Sequence, residues 1–163
     1  MTSRQTFIQA LFNLAANPQY AQPLREEVKA AVEKYGWTKE GIAAMHRVDS
    51  FLTETQRLEG VLTGMIYCSL VFNGLMTSNV SASVQRKAMK NLVLSDGTFI
   101  PKGTRLVVPT RAIHHDHSVY ENADAFNPFR FSNPEDGEGE NSRVQLTSVT
   151  QDYLPFGTGK HAW

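Results

Sequence analysis

From Gly60 to Gln85 the chain carries no charged residue, and Val61 to Met76 is largely apolar. This stretch divides the chain into two parts that differ in their hydrophobic period, so it constrains the architecture more than any other feature. A membrane helix needs about 20 apolar residues. Thr63, Gly64, Ser69, Asn73 and Gly74 interrupt this run, which weighs against a span.

Before the stretch the pattern is helical. Phe7, Leu11, Phe12 and Leu14 recur at helical spacing until Asn17-Pro18 breaks the run. A second helix starts near Pro23 and ends at Tyr35-Gly36, and Thr38 to Ala44 is expected to form a short third. Val48, Phe51, Leu52, Thr55 and Leu58 then fall on one face of a fourth helix. After the stretch, Ala88 to Leu94 and Phe99 to Val108 read as strands around a tight turn at Ser95-Asp96-Gly97-Thr98. Asn133 to Asn141 is acidic and glycine-rich, the composition of a surface loop. The expected organisation is a helical part over 1–60, a distinct apolar stretch over 61–78, a β-rich part over 84–131, an acidic loop over 132–150 and a glycine loop over 151–163. The class is mainly α with small β-sheets (α+β).

Sixteen basic and sixteen acidic residues balance to zero formal charge, so nucleic acid is not an expected partner. Cys68 is the single cysteine, which excludes an intrachain disulfide and a cysteine-based zinc site. Glu54 and Arg57, three apart on a helix, project from the same face and can pair. Taken alone, such a pair is more often a solvated one. His114, His115 and His117 with Asp116 invite a metal reading, and strand alternation would place His115 and His117 on one face. A zinc site needs further ligands, and His46 and His161 are distant in sequence. Phe156-Gly157-Thr158-Gly159-Lys160 has the glycines of a phosphate loop, but that motif needs a strand before it and a helix after it, and no helical pattern follows.

Three motifs stand in one order: Glu54-Thr55-Gln56-Arg57, then Phe126-Asn127-Pro128-Phe129-Arg130-Phe131, then Phe156-Gly157-Thr158-Gly159-Lys160-His161-Ala162-Trp163. Together they resemble the C-terminal third of a cytochrome P450, nearest the fungal, class II microsomal type. The resemblance implies that Arg130 joins Glu54 and Arg57 in a buried cluster with a structural role. It implies haem as cofactor, with Phe156 beside the iron ligand, Gly157 and Gly159 beneath the ring, and His161 and Arg86 toward the propionates. It further implies NADPH-cytochrome P450 reductase as electron donor, a small hydrophobic substrate such as a secondary metabolite, and a full-length protein anchored in the endoplasmic reticulum membrane. No residue of this chain is assigned a catalytic role, because the family's oxygen-activating threonine lies upstream.

The departure from the pattern is Trp163, which stands where the family has its cysteine ligand. Thiolate donation promotes O–O cleavage, whereas indole offers only an N–H donor. Cys68 lies in the insert, away from any glycine loop. An intron read through in frame accounts for both oddities: the insert directly, and Trp163 because a cysteine codon begins TG and an intron beginning GT would complete TGG. The chain as it stands is expected to be incomplete and inactive, with apolar surface left uncovered. The alternative is a non-enzymatic fragment or pseudogene product, associated with membrane or a binding partner.

Overall fold

The computed structural model describes residues 2–59, 84–132, 144–155 and Gly157. The charge-free insert, the acidic loop and most of the terminal glycine loop lie outside the described residues.

Helix α1 spans Thr2–Ala16. It stops where Asn17 folds back, both its backbone N–H and its side-chain amide donating to the Asn13 carbonyl at 3.1 and 3.0 Å. Pro18–Tyr20 forms a 3-10 turn that leads into α2, Ala21–Tyr35. Pro23 sits in the first turn of α2, where a missing N–H leaves no helix bond unmade. Gly36 ends the helix at a φ of 67°, its N–H donating to the Val32 carbonyl at 2.8 Å. Thr38 then caps α3, Lys39–Ala43, by accepting the Gly41 N–H at 3.1 Å. Gly41 itself permits a close approach, since a Cβ there would come within 2.4 Å of the Gly36 carbonyl oxygen.

Helix α4, His46–Glu59, is the centre of the molecule. Its first amides are satisfied from another helix: the Glu27 carboxylate on α2 accepts from Arg47 N–H at 2.8 and 2.9 Å and from Val48 N–H at 3.0 Å. A carboxylate at this end also complements the helix dipole. The apolar face expected from sequence is only part of what α4 buries. Val48, Leu52 and Leu58 are half-buried, whereas Ser50, Thr53, Glu54, Thr55, Gln56 and Arg57 are buried alongside Phe51. The physical reason is that each polar group finds a partner inside the fold. Thr53 and Thr55 hydroxyls donate back to the Asp49 and Phe51 carbonyls at 2.8 Å. Thr55 also accepts from Asn13, Gln56 donates to Thr6, and Ser50 accepts the Phe131 N–H at 3.0 Å.

The β-rich part holds four short strands where the sequence suggested two. β1, Val84–Lys87, pairs antiparallel with β4, Arg105–Val108, with Arg86 opposite Leu106. β2, Leu92–Val93, pairs antiparallel with β3, Phe99–Ile100. The expected turn joins β2 to β3, with Gly97 at a φ of 87° and its N–H on the Leu94 carbonyl at 3.0 Å. The run from Phe99 to Val108 is cut because Pro101 has no N–H and Gly103, at a φ of 93°, turns its own N–H to Ala88 O at 2.7 Å. A short helix, α5, covers Thr110–His114. His115 ends that helix and Asp116 begins a turn, so the histidines do not alternate along a strand.

Helices with two small antiparallel sheets make this an α+β arrangement, as the sequence led us to expect. Aromatic edges seal the 126–131 segment onto the helices: Phe126 meets Phe51 at 5.4 Å and Phe129 meets Tyr20 at 5.7 Å between ring centroids. On α1, Phe7 and Phe12 remain 61% and 65% exposed, which is too much for a finished core helix. Among the described residues no helix is long and apolar enough to cross a membrane.

Replacing Glu27 by Ala should destabilise the fold by about 1–2 kcal/mol, the scale of a lost N-cap. Urea unfolding followed by circular dichroism measures this, and a conservative Glu27→Asp change should recover part of the loss.

Candidate functional site

The α4 helix presents Glu54 and Arg57 on one face, and both side chains have no solvent exposure. Arg57 grips the carboxylate with two parallel bonds, Nε to Oε2 at 2.7 Å and Nη2 to Oε1 at 2.9 Å. Arg130 closes from the other side, its Nε at 3.2 Å from both carboxylate oxygens. The Asn127 backbone N–H adds a fourth donor to Oε1 at 3.1 Å. A buried carboxylate is tolerated only with compensation of this kind, and the planar guanidinium forks supply it.

Each arginine also donates to a different segment beyond the carboxylate. Arg130 Nη1 donates to Glu121 O at 2.6 Å, and its Nη2 reaches the carbonyls of Ala125 and Asn122 at 3.3 and 3.4 Å. Asn122 itself sits at a φ of 48°. Arg57 Nη1 donates to the His114 carbonyl, and the guanidinium lies 4.9 Å from the centre of the Tyr120 ring. One carboxylate thereby joins α4, the end of α5, and the turns that carry residues 121–130.

His114 continues the connection toward the glycine loop. Its Nε2 accepts the Leu154 N–H at 3.0 Å, so the ring proton sits on Nδ1 and is donated to the Arg57 carbonyl at 3.1 Å. Burial, reinforced by the charge of Arg57, lowers its pKa from 6.5 to about 4, so the ring is neutral at pH 7. Tyr153 stacks on it at 5.6 Å, is fully buried, and donates its hydroxyl to Gln56 Oε1 at 3.2 Å. Burial pushes that hydroxyl's pKa well up, so it stays protonated. Tyr120 donates to the Asp152 carbonyl at 2.9 Å. The polypeptide entering the glycine loop is thus held by α4, α5 and the turn at Tyr120 through three aromatic or imidazole side chains.

Sequence reasoning picked out Glu54, Arg57 and Arg130, and the fold brings these three together. Gly157 is buried at a φ of 73°. Arg86 lies on β1 and is exposed. Phe156, Gly159, His161 and Trp163 lie outside the described residues. His114 and Tyr153 were missed as bracing groups; a histidine next to two more histidines drew a metal reading, and Tyr153 carried no motif. His115 and His117 instead both pair with Asp124, at 2.7 and 3.1 Å. Among the described residues no group of three His, Cys, Asp or Glu is arranged to hold a metal ion. A separate apolar cleft of about 420 Å³, lined in part by Leu14, Leu24, Val28 and Trp37, shares no residue with the cluster.

Two outcomes follow for stability. Arg130→Ala should cost about 3–5 kcal/mol, the penalty for stripping one partner from a buried ion cluster, read by urea unfolding. Arg130→Lys should recover little, because an ammonium cannot bridge three carbonyls and a carboxylate. For His114, a depressed folded-state pKa means its contribution is complete above pH 6.5 and is lost as pH falls toward 4. That loss amounts to roughly 3 kcal/mol, and His114→Gln should flatten the stability profile over this window relative to the parent chain.

A family model described as cytochrome P450 matches residues 76–162. Cytochrome P450 monooxygenase 71 of Postia placenta is 41% identical over 161 residues, covering 99% of this chain and 28% of the relative. Cytochrome P450 monooxygenase CYP512U6 of Ganoderma lucidum is 38% identical over 93% of this chain and 26% of its own length. The monooxygenase paxQ of Penicillium paxilli is 34% identical over 98% of this chain and 28% of its own length. The chain therefore spans little more than a quarter of the length of these relatives. Matched over more than half its residues by the family model and along nearly all of them by fungal relatives, the chain belongs to the cytochrome P450 family.

Proposed function

We propose that this chain supplies the C-terminal scaffold of a haem-thiolate monooxygenase, the part that braces the haem-ligand loop, and that with Trp163 in place it does not itself insert oxygen. The observation that carries this reading is the fully buried Glu54 carboxylate, held by Arg57 from its own helix and by Arg130 from the 126–131 segment. Every guanidinium nitrogen of the cluster bonds a carboxylate or backbone oxygen, which suits a lock. His114 and Tyr153 extend the lock to the residues just before Phe156.

Haem is the family's cofactor, and it supplies oxygen activation when bound through a thiolate. The positive φ and burial of Gly157 suit a backbone lying close under a flat ring. The donor set does not fit. Trp163 stands at the ligand position, and an indole N–H has no lone pair to offer iron. The roles of Phe156, Gly157, Gly159, His161 and Arg86 toward haem therefore belong to a version of this loop that carries cysteine. For that version we infer a small hydrophobic metabolite as substrate, NADPH-cytochrome P450 reductase as electron donor, and the endoplasmic reticulum membrane as location.

The second reading, a non-enzymatic fragment or pseudogene product, is favoured by the same tryptophan. Spliced message read from before Glu54 to beyond the Trp163 codon separates the two. Loss of codons for roughly Val61 to Ser78 together with a cysteine at position 163 supports the enzyme. Retention of both features supports the fragment. The chain with Trp163, given haem, reduced and exposed to carbon monoxide, should show no thiolate-type Soret band; such a band would refute the inactive reading.

A further inference from the structure

One face of α2 lines the apolar cleft beside α1. Ala21, Leu24, Val28 and Val32 recur along it at helical spacing, with Leu14 contributed by α1 and Trp37 from beyond Gly36. On α2 the lining runs from Ala21 to Glu33, about 18 Å at the helical rise, so the cleft is an elongated trough. Its volume of about 420 Å³ is that of a small-molecule site. Trp37 is 76% exposed, so a large apolar side chain of the wall meets water.

The charge along the trough is graded. The neighbouring row of α2, Arg25, Lys29 and Glu33, also lines it. Lys29 lies 4.0 Å from Glu33, whereas Arg25 is exposed and enters no ion pair among the described residues. The end at Arg25 is therefore cationic, and the end at Val32 and Trp37 carries the opposed charges of Lys29 and Glu33 beside an apolar wall.

We propose that this trough binds the anion of a single-chain fatty acid, its carboxylate on Arg25 and its alkyl chain along Leu24, Val28 and Val32 toward Trp37. A long apolar trough with one cationic fork at one end matches a ligand with one alkyl chain and one carboxylate. Glu33 at the far end repels a carboxylate and so sets the direction. A second copy of the chain is the poorer match: its exposed apolar face on α1, around Phe7 and Phe12, has no acid to meet Arg25, since Gln5 to Leu24 is free of charge. The trough shares no residue with the Glu54 cluster, so the inference stands or falls separately from the proposed function.

Trp37 reports on the site directly. In the full chain carrying Trp163→Phe it is the single tryptophan, and dodecanoate, kept below its micelle concentration, should shift its emission to the blue in a saturable way. Fatty acid with a nitroxide near the methyl end should quench it more than fatty acid labelled beside the carboxylate. Arg25→Ala should weaken dodecanoate about fivefold, the upper end for an exposed ion pair, and should leave dodecanol binding unchanged. Decanoate should bind about tenfold more weakly than dodecanoate, because two methylenes leave the trough. Phe7→Ser with Phe12→Ser should alter none of these readings. No saturable shift, an Arg25→Ala variant that binds dodecanoate as the parent does, or stronger quenching by the label beside the carboxylate would overturn the proposal. So would a blue shift that grows with protein concentration without ligand and tracks a dimer in sedimentation velocity, which would give the trough to a second copy.

Discussion

The architecture depends on one carboxylate that has no access to water. Glu54 brings a full negative charge into the centre of the chain, where it is acceptable only if every oxygen is matched. The match is made by groups from distant parts of the sequence: Arg57 from the same helix, then Asn127 and Arg130 from more than seventy residues away. Such a cluster is weak evidence for net stability, because desolvation consumes much of the Coulombic gain. Its effect is on geometry. A wrong register of the 121–130 turns would leave a buried charge unpaired, so only one docking of that segment is tolerated.

Helix α4 extends the same logic along its length. Its interior face is threonine, serine, glutamine, glutamate and arginine more than leucine or valine, and Ser50, Glu54, Thr55, Gln56 and Arg57 each bond a segment that must sit beside the helix. Ser50 takes the Phe131 amide, Gln56 reaches α1, and Tyr153 reaches back from the last described segment. The neutral His114 ring, accepting at one nitrogen and donating at the other, converts α5 into a connector between helix and loop. A polar spine fixes these elements with directional bonds, whereas an apolar face would allow sliding.

The exposed apolar side chains lie apart from this lock. The β2–β3 hairpin faces outward with apolar and cationic side chains, and α1 exposes Phe7 and Phe12 on another element. The chain spans about a quarter of its relatives' length, so surfaces that look unfinished here are where the rest of a longer protein has room to pack.

The helices up to Glu59 and their ends were legible in the sequence, because they rest on local signals. Asn17-Pro18, Thr38 and Gly36 act within a few residues of themselves, and a spacing of three places Glu54 beside Arg57 whatever the fold. The motifs likewise carried the family. What periodicity missed was the polar interior of α4, since a buried threonine and an exposed one look identical until their partners are known. The break at Pro101 and Gly103 escaped for a related reason: the bond that Gly103 makes is to Ala88, across the sheet. His114 shows the difference most clearly. As a sequence position it was one of three clustered imidazoles; only the tertiary structure, by removing water and setting Arg57 O and Leu154 N–H at its two nitrogens, decided that it is a neutral strut. Local chemistry was determined by neighbours in the chain, while burial and its pairings were decided by residues brought together from far along it.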